Sequence, residues 1–173
     1  MKRYFRYFVE IFVLYFLEYS SFQSLLNMKV RPSVAIIEGD KVLLMRYRYG
    51  EADVFNLPGG NTDPGETLVG TLQRELVEEL GIEIAVEELL LTGEVILLQQ
   101  KTDVLHCVFR AKITQGIPVL NPVETSSLEV LWKNIDDLAD LEMYPNVGFM
   151  LQQQLNSSSK TSTYVGKIPQ RWH

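Results

Sequence analysis

The chain has 173 residues, 46% hydrophobic and 22% charged, the make-up of one globular domain with a real core and not of two full domains. A formal net charge of −6 disfavours a long nucleic-acid partner, which needs a basic stripe along its phosphates, yet leaves room for a small phosphate ester reached through a divalent cation. One cysteine, Cys107, permits no intrachain disulfide, and His106 and His173 are too few for a His-based zinc site; the expected compartment is the cytoplasm.

Residues 1–27 stand apart. Lys2, Arg3 and Arg6 lead a run rich in Phe, Tyr and Leu. Glu10 and Glu18 interrupt it, leaving fewer than the ~20 apolar residues a bilayer span needs. Glu10 also falls in what would be the apolar centre of a signal peptide, and no small-residue cleavage site follows. An amphipathic helix, lying on a membrane surface or packed on the domain, is a third reading. A plainer one is preferred: Met28 opens a convincing domain start, MKVRPSVAIIEGDKVLLMRY, so residues 1–27 are an appendage or an over-called start.

From Val30 the pattern is that of strands. Ser33–Ile37 and Val42–Met45, about Gly39-Asp40, read as a hairpin. Arg46 and Arg48, two apart, share a face of the second strand and are candidate phosphate contacts. Tyr47, Tyr49, Phe55 and Tyr144 are candidates for stacking on a base, with packing as the alternative. Val54–Leu57 is a short strand running into Pro58-Gly59-Gly60. A helix follows to about Leu80, its start at Asp63-Pro64 or Thr67, its stop at Gly81. Leu68, Leu72, Leu76 and Leu80 form its buried stripe. Strands then recur at Ile82–Val86, Leu89–Leu91, Glu94–Leu98, Val104–Ala111 and Glu129–Trp132, with a long loop Thr114–Ser127 between the last two. His106 and Cys107, adjacent on a strand, read as packing or surface residues. Ile135–Leu141 reads as a short acidic helix and Asn146–Leu155 as a final helix. The domain is thus expected over residues 28–155. Residues 156–173 form a Ser/Thr-rich linker and a tail that docks on the domain or on a second copy, which leaves a homodimer open.

The chemistry gathers in LPGGNTDPGETLVGTLQRELVEELGI, Leu57 to Ile82. Glu75, Glu78 and Glu79 are three and four apart and span one helix face. Like charges so close repel and call for compensation. Arg74 can pair with Glu78 and Glu66, and a hard divalent cation suits the rest. Gly59-Gly60 lets the backbone turn sharply and approach such a cation. A merely solvated acidic helix would account for the glutamates, but not for the double glycine, the proline and the leucines at fixed offsets.

Gly60, Glu66, Arg74-Glu75-Leu76, Glu78-Glu79 and Gly81-Ile82, at these spacings, resemble the Nudix box of the Nudix hydrolases at every defined position, with Thr71-Leu72 where many members carry two alanines. The resemblance implies an α/β fold, the family's α/β/α sandwich with a mixed sheet and the box loop and helix, over about Val30 to Leu155. It implies hydrolysis of a nucleoside diphosphate linked to another moiety, with Mg²⁺ or alternatively Mn²⁺. It assigns metal binding to Glu78, Glu79 and the Gly59 carbonyl, metal binding or assistance as base to Glu75, and a loop-to-helix brace to Glu66 and Arg74 beside Gly60. The general base is a box glutamate or a later carboxylate: Glu124 first, then Asp103 and Glu129. The downstream proline of ADP-ribose hydrolases is missing where Ile96-Leu97-Leu98 stand, as are the signatures of the dinucleoside polyphosphate and coenzyme A groups, which leaves the substrate open. The alternative function is a non-catalytic nucleotide-binding module.

Overall fold

The computed structural model describes residues 28–97, 102–157 and 162–170; the expectations for residues 1–27, for Leu98 and for the middle of the linker lie outside them. Strands β1 (Lys29–Glu38) and β2 (Lys41–Tyr49) are the expected hairpin, turning at Gly39 with φ 61°. Strand β3 (Ala52–Asn56) leads into the box loop, and helix α1 (Leu68–Leu80) follows. Strands β4 (Glu83–Val95), β5 (Val104–Gln115) and β6 (Glu129–Asn134), a 3-10 turn at Ile135–Asp137, helix α2 (Gly148–Asn156) and strand β7 (Tyr164–Lys167) complete the order.

Seven strands make one mixed sheet in the order β3-β2-β1-β5-β4-β7, with β6 paired to β2. The parallel pairs are β1 with β5 and β4 with β7. Lys41 and Val42 pair with both β1 and β6, while Met45 and Arg46 pair with both β3 and β6. Hence β1 and β3 share one edge of β2 and part from each other along it. The box loop enters that parting: the Val34 amide donates to the Pro58 carbonyl at 2.8 Å, and Ser33 bridges to Gly59. The glycine loop is therefore wedged into the sheet beside β1.

Side-chain alternation along the strands divides the core in two. Val34, Ile36, Leu43 and Met45 join Leu72, Leu76 and Leu80 of α1. Ala35, Val42 and Leu44 face the other way, onto Leu138, Met143, Val147 and Leu151 beside α2. This is the α/β/α sandwich.

Two expectations need correction. The three short strands after Gly81 are one long strand, β4, carried past Glu87-Glu88 by register shifts between Val86 and Leu91. The acidic helix at Ile135 is only a single 3-10 turn. The tail docks on its own domain: Tyr164, Gly166 and Lys167 pair along β4 and Ile168 enters the core.

Candidate active site

Helix α1 begins at Leu68. Thr67 is its N-cap, its hydroxyl accepting from the Gly70 amide at 3.0 Å. The Asp63 amide does donate to Glu66 Oε2 at 3.1 Å, but around a separate turn ahead of the helix. Gly81, at φ 65°, ends the helix with amide bonds from Gly81 to the Val77 carbonyl and from Ile82 to the Leu76 carbonyl, the left-handed stop that glycine favours. The next carbonyls are met by the loop after β5. The Val119 amide donates to Leu80 O, the Asn121 amide to Glu79 O and Asn121 Nδ2 to Glu78 O, at 2.8–3.1 Å. That loop is thereby fastened to the end of the helix that bears the carboxylates.

Arg74 is the hub of the charges. Its Nε and Nη2 hold the two oxygens of Glu66 at 2.8 and 3.0 Å, and its Nη1 reaches Glu75 and Glu78, each at 3.0 Å. The Thr71 hydroxyl also donates to Glu66. Arg74, foremost, with the Asp63 amide and Thr71, pulls the Glu66 carboxyl down to about 2. The bidentate fork fixes loop to helix. Glycine is required beside it: a Cβ on Gly60 would run into the Glu75 carboxylate, and one on Gly59, at φ 147°, into the Pro32 carbonyl and Ser33.

Glu79 is half-buried. Burial first, and then the charges of Glu75 and Glu78, push its carboxyl up, while Thr125 and Arg31 pull the other way. Among the described residues no three His, Cys, Asp or Glu side chains already stand close enough to hold an ion, and Arg74 engages Glu75 and Glu78. The donors themselves, three carboxylates on one helix face next to a glycine carbonyl, are hard oxygens under mutual repulsion. That set fits a divalent cation of the Mg²⁺ or Mn²⁺ kind, which would be held by Glu75, Glu78, Glu79 and Gly59 O.

The other expected residues divide. Tyr144 stands near Arg31: its ring meets His106 edge-on at 5.8 Å, and Arg31 and Tyr49 act on its phenol electrostatically. Tyr47 lies on the helix side of β2, its hydroxyl 3.4 Å from Thr125 Oγ1, and Glu79 acts on it. Arg46 and Arg48 alternate with Tyr47 and face the opposite side. Arg46 pairs with Glu129 at 2.9 Å and Asp53 at 3.2 Å, and Arg48 with Asp53 at 2.6 Å; the fold does not bring them to the carboxylates. Glu129 is engaged by Arg46, and Asp103 accepts from the Leu97 amide at 2.8 Å. Glu124 is exposed, in the loop fastened to the helix and next to Thr125. Sequence reading passed over Arg31, which donates to Gly59 O at 3.2 Å and acts on Glu79, Tyr47, Tyr144 and His106.

Fold and site together define a Nudix-type hydrolase domain, and the chain belongs to the Nudix family: the NUDIX domain model matches residues 28–153. It is similar to the human 8-oxo-dGDP phosphatase NUDT18, 34% identical over 102 residues. That match takes in 58% of the chain, which covers only 30% of that longer protein. Among solved structures it is similar to a MutT NUDIX hydrolase from Burkholderia pseudomallei, 28% identical with TM-score 0.61 over 75% of this chain and 99% of the other. The MutT protein of Methanosarcina mazei Go1 shares the fold, at 19% identity and TM-score 0.63 over 77% and 96% of the two chains.

Proposed function

We propose that the protein is a Mg²⁺-dependent hydrolase that cleaves a pyrophosphate bond in a nucleoside diphosphate linked to another moiety, such as a nucleoside triphosphate or a nucleotide sugar. The observation that carries this is the joining of Glu75, Glu78 and Glu79 on one helix face to a glycine loop that tolerates no side chain at Gly60. A bound Mg²⁺ or Mn²⁺ would polarise the phosphoryl oxygens and make the attacking water easier to deprotonate, and so a better nucleophile toward phosphorus. The chain's own part is to hold the acceptors in register. Arg74 ties Glu75 and Glu78 to the loop through Glu66. Glu75, the box glutamate that binds metal or assists as base in the family the chain resembles, is the box candidate to take the proton of the attacking water. Glu124 is the candidate outside the box. A reducing, cytoplasmic setting suits the single buried thiol of Cys107.

The test is hydrolysis of a panel running from nucleoside triphosphates and 8-oxo-dGDP to nucleotide sugars, ADP-ribose and dinucleoside polyphosphates. Each is run with Mg²⁺, with Mn²⁺ and with chelator, and the products are identified. Metal-dependent release of a nucleoside monophosphate is expected from at least one. Tight nucleotide binding with no product from any of them would favour the non-catalytic module instead.

A further inference from the structure

Arg46, Arg48, Arg74 and Arg110 each pair with a carboxylate. Arg31, half-buried on β1, is different. Its hydrogen bond is to a neutral acceptor, Gly59 O, and among the described residues no carboxylate lies in ion-pair contact with it. Glu79 lies within its electrostatic reach but is not paired with it, and its other neighbours carry no charge. Tyr47 and Tyr144 are phenols whose ionisation burial suppresses. His106, level with Arg31 across the β1–β5 pair, is fully buried, has no hydrogen-bond partner for either ring nitrogen, and is kept neutral by burial and by Arg31 itself, its pKa lowered to about 4. A half-buried guanidinium with no ion-pair partner among the described residues, held against the box loop, is arranged to receive an anion.

Its position says which anion. Arg31 donates to Gly59 O, and the next residue, Gly60, abuts the Glu75 carboxylate; on its other side Arg31 is level with His106, whose ring meets Tyr144 edge-on. Arg31 thus stands between the helix carboxylates and the aromatic wall. We propose that Arg31 holds the phosphate on the nucleoside side of the scissile bond, and so fixes which phosphate is presented to the carboxylates; this rests on the hydrolase reading above. The base then lies toward Tyr144, and the outer phosphate toward Glu75, Glu78 and Glu79. Anchored by Gly59 O, the guanidinium fork meets two phosphate oxygens without reorganising.

The test is calorimetric titration of the four common nucleoside 5′-monophosphates and of inorganic phosphate, each with Mg²⁺, into wild type, Arg31→Gln and Arg31→Lys, with thermal melts of all three. For the tightest monophosphate, Arg31→Gln should weaken binding at least tenfold and Arg31→Lys should restore part of it, while the affinity for inorganic phosphate stays within twofold. On any hydrolysed substrate KM should rise more than kcat falls. Unchanged monophosphate affinity, a loss confined to inorganic phosphate, or no monophosphate binding to the wild type overturns the assignment. So does a loss that merely follows a lowered melting temperature and is equal in both variants. If the wild type binds a monophosphate through Arg31 but hydrolyses nothing in the panel, the hydrolase reading falls and the assignment relative to a scissile bond falls with it, whereas hydrolysis with no effect of Arg31 on monophosphate affinity overturns this assignment alone.

Discussion

Arg74 answers a problem that the helix creates for itself. Glu75, Glu78 and Glu79 repel one another on one face, and a single guanidinium takes up two of them while its other edge grips Glu66. The sign of the pH dependence follows. Glu66 has its carboxyl lowered to about 2, so it contributes stability that is fully present above the ordinary carboxylate value of about 4.5 and is lost as pH falls toward 2. Thermal melts across that window should show the wild type losing stability more steeply than Glu66→Gln; parallel curves would contradict the brace. These residues were legible in the sequence because the brace is local, within nine positions. Arg31 was not, because its placement depends on pairing between β1 and β5 and on the box loop wedging in beside β1, neither of which leaves a mark near Arg31 itself.

At the scale of elements, α1 is the piece that sequence describes best. Its leucines recur every four residues, and Leu72, Leu76 and Leu80 are all fully buried between β1 and β4. Val77 interrupts nothing, being 51% exposed. Leu76→Ala should therefore lower unfolding free energy by about 2–5 kcal/mol, while Val77→Ala stays within about 0.5 kcal/mol, both read by denaturant titration. Equal effects would mean that the helix packs on another face. Strand β4 was harder to see. Glu87 and Glu88 resemble a polar turn, but at a bulge they meet Lys112 and Arg110 of β5, so pairing with the neighbouring strand overrides a local signal. Arg46 and Arg48 illustrate the converse. Their shared face was predictable from alternation, but which face it was depended on β3 and β6, whose Asp53 and Glu129 occupy them.

The described residues form a sheet clasped between two helices, with the β4 edge paired by the tail. The fit there is close: a Cβ on Gly93 would strike the Gly166 carbonyl and Val165. Ile168, just beyond β7, is 1% exposed within the α2-side core. Ile168→Ala should destabilise the domain by about 2–4 kcal/mol without altering the box, so a loss of stability with unchanged KM is expected, and an unchanged denaturation midpoint would show the tail to be dispensable. The overall negative charge is consistent with a small substrate that depends on local positive groups, Arg31 and a bound cation, rather than on a basic surface. Glu79 is where the proposed chemistry is tested most directly. With the best substrate of the panel and saturating Mg²⁺, Glu79→Gln should lose at least a hundredfold in kcat while its circular dichroism spectrum and melting temperature stay close to wild type. Near-normal metal-dependent turnover by that variant would contradict the assignment of the helix carboxylates as the site of the chemistry.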